Sequence, residues 1–365
     1  MPAAGDRVVS IDALRGFDMF WLMQGEKLVL ALAAALHLPF AASLAVQLDH
    51  SHWLGFTCWD FIAPLFLFVV GLSMPYAISK RLERGEGRRG IYLHIVRRTL
   101  LLIALGLVFN GILKLDFANF RYPGVLQRIA LSYFFAALIT MGARVRGQMY
   151  WTAGLLLGYW AAMAFIPVPG FGAGVFTPEG NLEGYIDRLL LPGRFCCFGF
   201  GDNEGYLSTI PSVCTVMLGV LCGHLVRSGW PQRKKLLVLV GGGVASLALG
   251  LLWSLVFPII TMLWTSSYVL FANGWAMLVF ALFYWIIDVR GWRKWAFPFV
   301  VIGMNAITIY VVQSQFNFIH VANILIRGVV RFTGEYTTLV TVAAVVAVKW
   351  LFLYFLYRRK IFLKA

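Results

Sequence analysis

Two histidines and an aspartate stand close together in the stretch 48–71, LDHSHWLGFTCWDFIAPLFLFVVG. His50 and His52 precede a long apolar run, Asp60 lies near its start, and no charge follows from Phe61 to Met74. A neutral imidazole is a good base or nucleophile near pH 7, so it could take a proton from an amine or hydroxyl acceptor. The two histidines are two positions apart and would not share a helical face, so only one is expected to point into a site. Asp60 could hold an imidazole or a backbone amide, or it could anchor the helix start. Ionisable groups at the mouth of a membrane helix are costly unless they are paired or functional.

A second polar series runs through IDALRGFDMFWLMQGE. Asp12 and Arg15 are three apart and can pair on one helical face, with Asp18 further along the same side. That is either a structural ion pair or the wall of a polar passage, and the Arg15 fork also suits a phosphate. Gln24 and Glu26 carry the series on. Elsewhere, Gln127 and Arg128 open one apolar segment, Ser208, Thr209 and Ser212 another, and Ser266, Ser267 and Asn273 lie in LWTSSYVLFANGW. Asn305 sits within a further segment. Each is as readily a helix cap or helix glue as a ligand contact; together they suggest a polar cavity.

The elements that must position these groups are membrane helices. Of 365 residues, 60% are hydrophobic and 13% charged, with a mean hydropathy of +0.79; a soluble domain is nearer about 45–50% and about 25%. The pattern predicts an all-α polytopic membrane protein, a single domain over 1–365, with about ten spans near 12–30, 60–79, 93–113, 124–142, 149–167, 206–226, 236–257, 268–287, 295–315 and 337–357. The segment 32–48, broken by Pro39, and the stretch 316–331 leave room for an eleventh. With ten spans and both termini in the cytoplasm, most of the 31 Lys and Arg fall in cytoplasmic loops, as the positive-inside rule asks. His50, His52 and the Gly- and Pro-rich loop 168–205 then face outside, and the length of that loop favours a binding or lid role. The net charge of +15 reflects this topology, not nucleic-acid binding. The five cysteines form no C-x-x-C pair, so no metal site is indicated; a disulfide between the adjacent Cys196 and Cys197 is allowed but not signalled. On these residues alone, a transporter and a membrane transferase both stand.

DALRGFDMFW, HSHWLGFTCWDFIAPLFLFVVGLSMP, YPGVLQRIALSY, EGYLSTIPSVCTVMLG, WTSSYVLFANGWAML and GMNAITIYV, in that order, resemble the transmembrane acetyltransferases related to heparan-alpha-glucosaminide N-acetyltransferase, and specifically the bacterial branch often called NagX-like. The resemblance runs from about Asp12 to Tyr354. It implies transfer of acetyl from cytoplasmic acetyl-CoA to the amine of a glucosamine-type sugar on the far side of a bacterial cytoplasmic (inner) membrane. In that family the key histidine precedes a W-x-G-x-T-x-x-D pattern. Trp53, Gly55, Thr57 and Asp60 match it, which makes His50 the general base or transient acetyl carrier, with Asp60 beside it. Arg15, Gln127, Arg128, Ser266, Ser267, Asn273 and Asn305 become candidate acetyl-CoA contacts, the two serines or Asn273 also candidate oxyanion donors. Asp12, Gln24, Glu26 and His52 become candidate acceptor contacts. The family's asparagine near the outer end of span one has no secure counterpart; Gln24 and Glu26 are the local candidates. No metal is implied, lipid is the other expected partner, and a homodimer is one candidate assembly. A secondary transporter for a sugar or acylated compound is the alternative.

Overall fold

The computed structural model describes residues 8–117 and 119–362. These form helices and loops, with only isolated β-bridges among the described residues. The chain divides into two units: Met1–His50, Thr57–Ile62 and Leu282–Ala365 make the first, Ser51–Phe56 and Ala63–Ala281 the second.

Seven helices among the described residues are long and apolar enough to cross a membrane: Trp59–Glu83, Arg88–Phe109, Val125–Gly142, Thr209–Arg227, Gln232–Trp253, Ser266–Val289 and Gly334–Arg358. The bent pair Lys294–Met304 and Ala306–Gln315, which turns by 60°, raises the number to eight if it is one span. The expectation of ten or eleven spans is therefore corrected, and the placement of both termini that depended on it goes with it. The reasons are local. The segment near 12–30 is two short helices, Val9–Phe20 and Glu26–Ala35, parted by a wide turn over Trp21–Gly25. There Met23 and Gln24 leave the helical conformation, Gln24 at φ +82°. The helix Val145–Phe165 has the length, at 21 residues, but its Gly, Gln, Tyr and Trp content keeps it below the required apolarity. Residues 32–48 hold the end of one helix and the seven-residue Ala41–Gln47, which buries nothing.

In the first unit Val9–Phe20 packs on Phe297–Met304 through small residues. A Cβ on Gly16 would lie 1.7 Å from the Phe299 carbonyl oxygen, and one on Gly303 would lie 2.1 Å from that of Asp12. Asp288 caps the start of the first helix by accepting from Val9 N at 3.2 Å and Ser10 N at 3.1 Å. In the second unit Gly71 and Gly219 let Ile62–Glu83 meet Thr209–Arg227 backbone to backbone. Membrane helices associate through such close contacts because lipid is as apolar as their own side chains. Gly16→Ala should therefore cost about 1–3 kcal/mol or more, the range for overpacking. Gly154→Ala, at a glycine with no neighbour within 4 Å, should cost nothing. Unfolding midpoints of the two variants in the same detergent check this.

Candidate functional site: an oriented imidazole

The span Trp59–Glu83 begins on a reciprocal cap. Asp60 accepts from Thr57 N at 3.0 Å through Oδ2, and Thr57 Oγ1 accepts from Asp60 N at 3.4 Å. This is the logic of a capping box, with each residue satisfying a backbone donor of the other. Thr57 Oγ1 also lies 2.7 Å from the Asp49 carbonyl. The His50 amide donates to Asp49 Oδ1 at 2.8 Å. The backbone before the helix is thereby fixed.

The second oxygen of Asp60 is then aimed at the imidazole. His50 Nδ1 lies 2.7 Å from Asp60 Oδ1. Asp60 accepts in its other contacts, so Nδ1–H donates here and Nε2 is left with its lone pair. The Asp60 side chain is fully buried while that of His50 is 52% exposed. The Trp59 ring meets the imidazole edge-on at 6.3 Å. The arrangement holds the imidazole in one tautomer against a buried carboxylate, a geometry that could serve a general base.

The remaining motif residues have separate structural duties in the second unit. Trp53 Nε1 donates to the Phe176 carbonyl at 2.8 Å, and its ring packs on Phe198. Gly55 takes φ +111° and donates to the Ile259 carbonyl at 3.0 Å, a conformation that glycine adopts without strain. His52 is exposed.

The other candidates fall into three places. In the first unit, Arg15 pairs with Asp12 at 3.5 Å, and Asn305 is buried with its amide donating to the Ile361 carbonyl at 3.1 Å. Gln24 lines a cavity with Gln313 and Lys349, and Glu26 Oε2 is buried without a hydrogen-bond partner. In the second unit, Ser266 and Ser267 are fully buried and donate to the carbonyls of Leu156 and Pro258. Asn273 donates to the Val269 carbonyl and leaves Oδ1 unpartnered. Gln127 donates to the Tyr122 carbonyl. Arg128 is only 3% exposed, donates to Ser208 Oγ and lies 4.7 Å over the Trp264 ring.

Arg128 belongs to a buried polar network that the sequence did not disclose. The loop 168–205 carries the short helix Leu182–Leu190, capped by Asn181, whose side chain accepts from Gly184 N at 2.7 Å. The helix presents Glu183 and Asp187 inward, both fully buried. Asp187 accepts from Asp202 N at 3.0 Å and Tyr206 N at 3.2 Å. Arg121 binds Asp202 and Glu204. Burial works against the Arg121 charge, but these two carboxylates outweigh it and raise its pKa. Cys196 and Cys197 are joined as a disulfide in the same loop.

Burial, and then the neighbouring Asp187, push the Glu183 pKa well above its ordinary value. The stability linked to its neutral form is full below the unfolded glutamate pKa of about 4.3. It is lost as pH rises through the higher folded value. Glu183→Gln should therefore flatten the fall in thermal midpoint that sets in as pH rises above about 4.3, which a pH series of melting curves checks.

A helical, polytopic membrane protein with a carboxylate-oriented imidazole at the mouth of one span is the class that fold and site define together. The model of the family described as "Heparan-alpha-glucosaminide N-acetyltransferase, catalytic" matches residues 7–251, and the chain belongs to that acetyltransferase family. It is 27% identical to the human heparan-alpha-glucosaminide N-acetyltransferase over 427 aligned positions, covering all of this chain and 61% of the relative. Against the mouse protein of the same name it is 28% identical over 365 positions, covering 85% of this chain and 53% of that one. The chain thus spans between half and two thirds of the length of these relatives.

Proposed function

We propose that this protein transfers acetyl from acetyl-CoA to the amine of a glucosamine-type sugar across the membrane, through His50. The observation that carries the reading is the 2.7 Å contact between His50 Nδ1 and Asp60. It leaves Nε2 free to act, and family membership supplies the reaction. Nε2 either takes the proton of the attacking amine while the thioester carbonyl is attacked, or attacks that carbonyl itself and passes the acetyl on. In both routes the sulfur leaves as thiolate, the acetyl ends on nitrogen, and Asp60 stabilises the charged imidazole. The names of the human and mouse relatives support the amino-sugar acceptor. The bacterial branch and its cytoplasmic membrane belong to the same reading.

Sidedness is supported by one helix. Asp60 stands at the first turn of Trp59–Glu83, and Lys80 and Arg81 stand at the last, followed by Arg84, Arg88 and Arg89. A 25-residue helix is about 37 Å long, enough for a hydrocarbon core of about 30 Å. The basic end belongs in the cytoplasm, so His50 faces the other side. Acetyl-CoA is therefore supplied from the basic face, where cations such as Arg84, Arg88 and Arg89 suit its phosphates.

The test is turnover of labelled acetyl-CoA with glucosamine by the purified protein in detergent. Acetylated amine supports the reading. Neither product nor binding of acetyl-CoA would refute it.

A further inference from the structure

Two carbonyls of the wide turn at Trp21–Gly25 are met by side chains from elsewhere in the first unit. Gln313 Nε2 donates to that of Leu22 at 3.2 Å, and Lys349 Nζ approaches that of Met23 at 3.4 Å. Lys349 Nζ also lies 3.2 Å from Gln313 Oε1. Helix glue would account for an amide at position 349. It does not account for a lysine in VAAVVAVKWLFLYF, 4% exposed, in a membrane-length helix where a charge is expensive. An ammonium has three donors, and these two neutral acceptors do not balance its charge. Among the described residues no carboxylate lies within ion-pair distance of it; Glu26 acts on it only from beyond that distance and is opposed by the like charge of Lys27.

This ammonium lines a cavity of about 290 Å³, together with Gln24, Gln313, Gln315, Asn317 and Phe318. The volume sits just below the usual ligand range of about 300–1,000 Å³, a size that suits one sugar ring. The amides of Gln24, Gln313, Gln315 and Asn317 offer both donors and acceptors, as a polyol needs. The rings of Phe316 and Phe318, 4.9 Å apart, offer an apolar wall. One buried cation balances one carboxylate. A phosphate monoester, with about 1.5–2 negative charges, would leave an uncompensated anion in the same space.

We infer that the Gln24–Gln313–Lys349 cavity binds a monosaccharide bearing a carboxylate, with Lys349 as its counter-charge. That this sugar is also the acetyl acceptor rests on the function proposed above; the binding itself does not.

Binding of glucuronate, glucose and glucose 6-phosphate to the purified full chain, measured by calorimetry, tests it. Glucuronate should bind at least about 10-fold more tightly than either of the others, the scale of a hydrogen bond to a charged group. Lys349→Met should remove the preference, with Lys349→Gln measured alongside in case the methionine variant does not fold. Equal binding of glucuronate and glucose by the unmodified protein, tighter binding of the phosphate, or a preference that survives in either folded variant would overturn the inference. A companion assay compares muramic acid, which is glucosamine carrying a carboxylate, with glucosamine as acetyl acceptor. Glucuronate binding without any acetyl transfer would sink the proposed reaction and leave the site standing.

Discussion

His50→Ala should lower acetyl transfer by about 10²–10⁴-fold, the share of a positioned general base, and by more if the imidazole carries the acetyl. Half of the side chain is exposed, so its removal opens no cavity in a packed core, and the stability lost is that of one hydrogen bond to Asp60, about 1–3 kcal/mol. Acetyl-CoA binding should survive. Loss of turnover with binding and fold retained, measured beside equilibrium binding of acetyl-CoA and a thermal midpoint, supports a chemical role. Full turnover by this variant would exclude it.

Asp60→Asn should be almost as damaging for a different reason. Asp60 Oδ2 accepts from Thr57 N at 3.0 Å while Oδ1 meets His50 Nδ1 at 2.7 Å. An asparagine that keeps its oxygen on Thr57 N must turn its amide nitrogen toward His50. Nδ1 then becomes the acceptor, the proton moves to Nε2, and the free nitrogen can no longer accept. The same tautomer argument costs serine proteases about 10⁴-fold in kcat. We expect about 10²–10⁴-fold here, with the helix cap and folding retained. Because the two residues act as one unit, the double variant should be no slower than His50→Ala alone. Additive losses would mean that Asp60 acts elsewhere.

The part of the site that sequence could disclose is the part built from near neighbours. His50, Thr57 and Asp60 lie within eleven positions, and the cap that aims Asp60 uses only local backbone. Arg128 and Ser208 are 80 positions apart, and Lys349 and Met23 are 326 apart. No spacing rule joins such pairs. A lysine within an apolar run was nonetheless a visible signal at 349, one that the family motifs did not absorb. The helices divide similarly. The seven spans with uniform apolar character are legible as hydropathy runs. Val145–Phe165 falls short in apolarity alone, and the other failures come where backbone conformation departs from the run. Gln24 turns to positive φ inside an apolar stretch, and the chain bends by 60° where the helix ending at Met304 gives way to the one beginning at Ala306. Averaged hydropathy cannot register either event.

In the proposed reaction, acetyl crosses the membrane by way of His50. Reconstituted vesicles with known orientation test it most directly, with labelled acetyl-CoA supplied only at the basic face and glucosamine only at the opposite face. Acetylated glucosamine should appear on the far side and CoA stay on the near side, with neither event for His50→Ala. Product formed only when both substrates share one face, or product formed equally by the alanine variant, would contradict it.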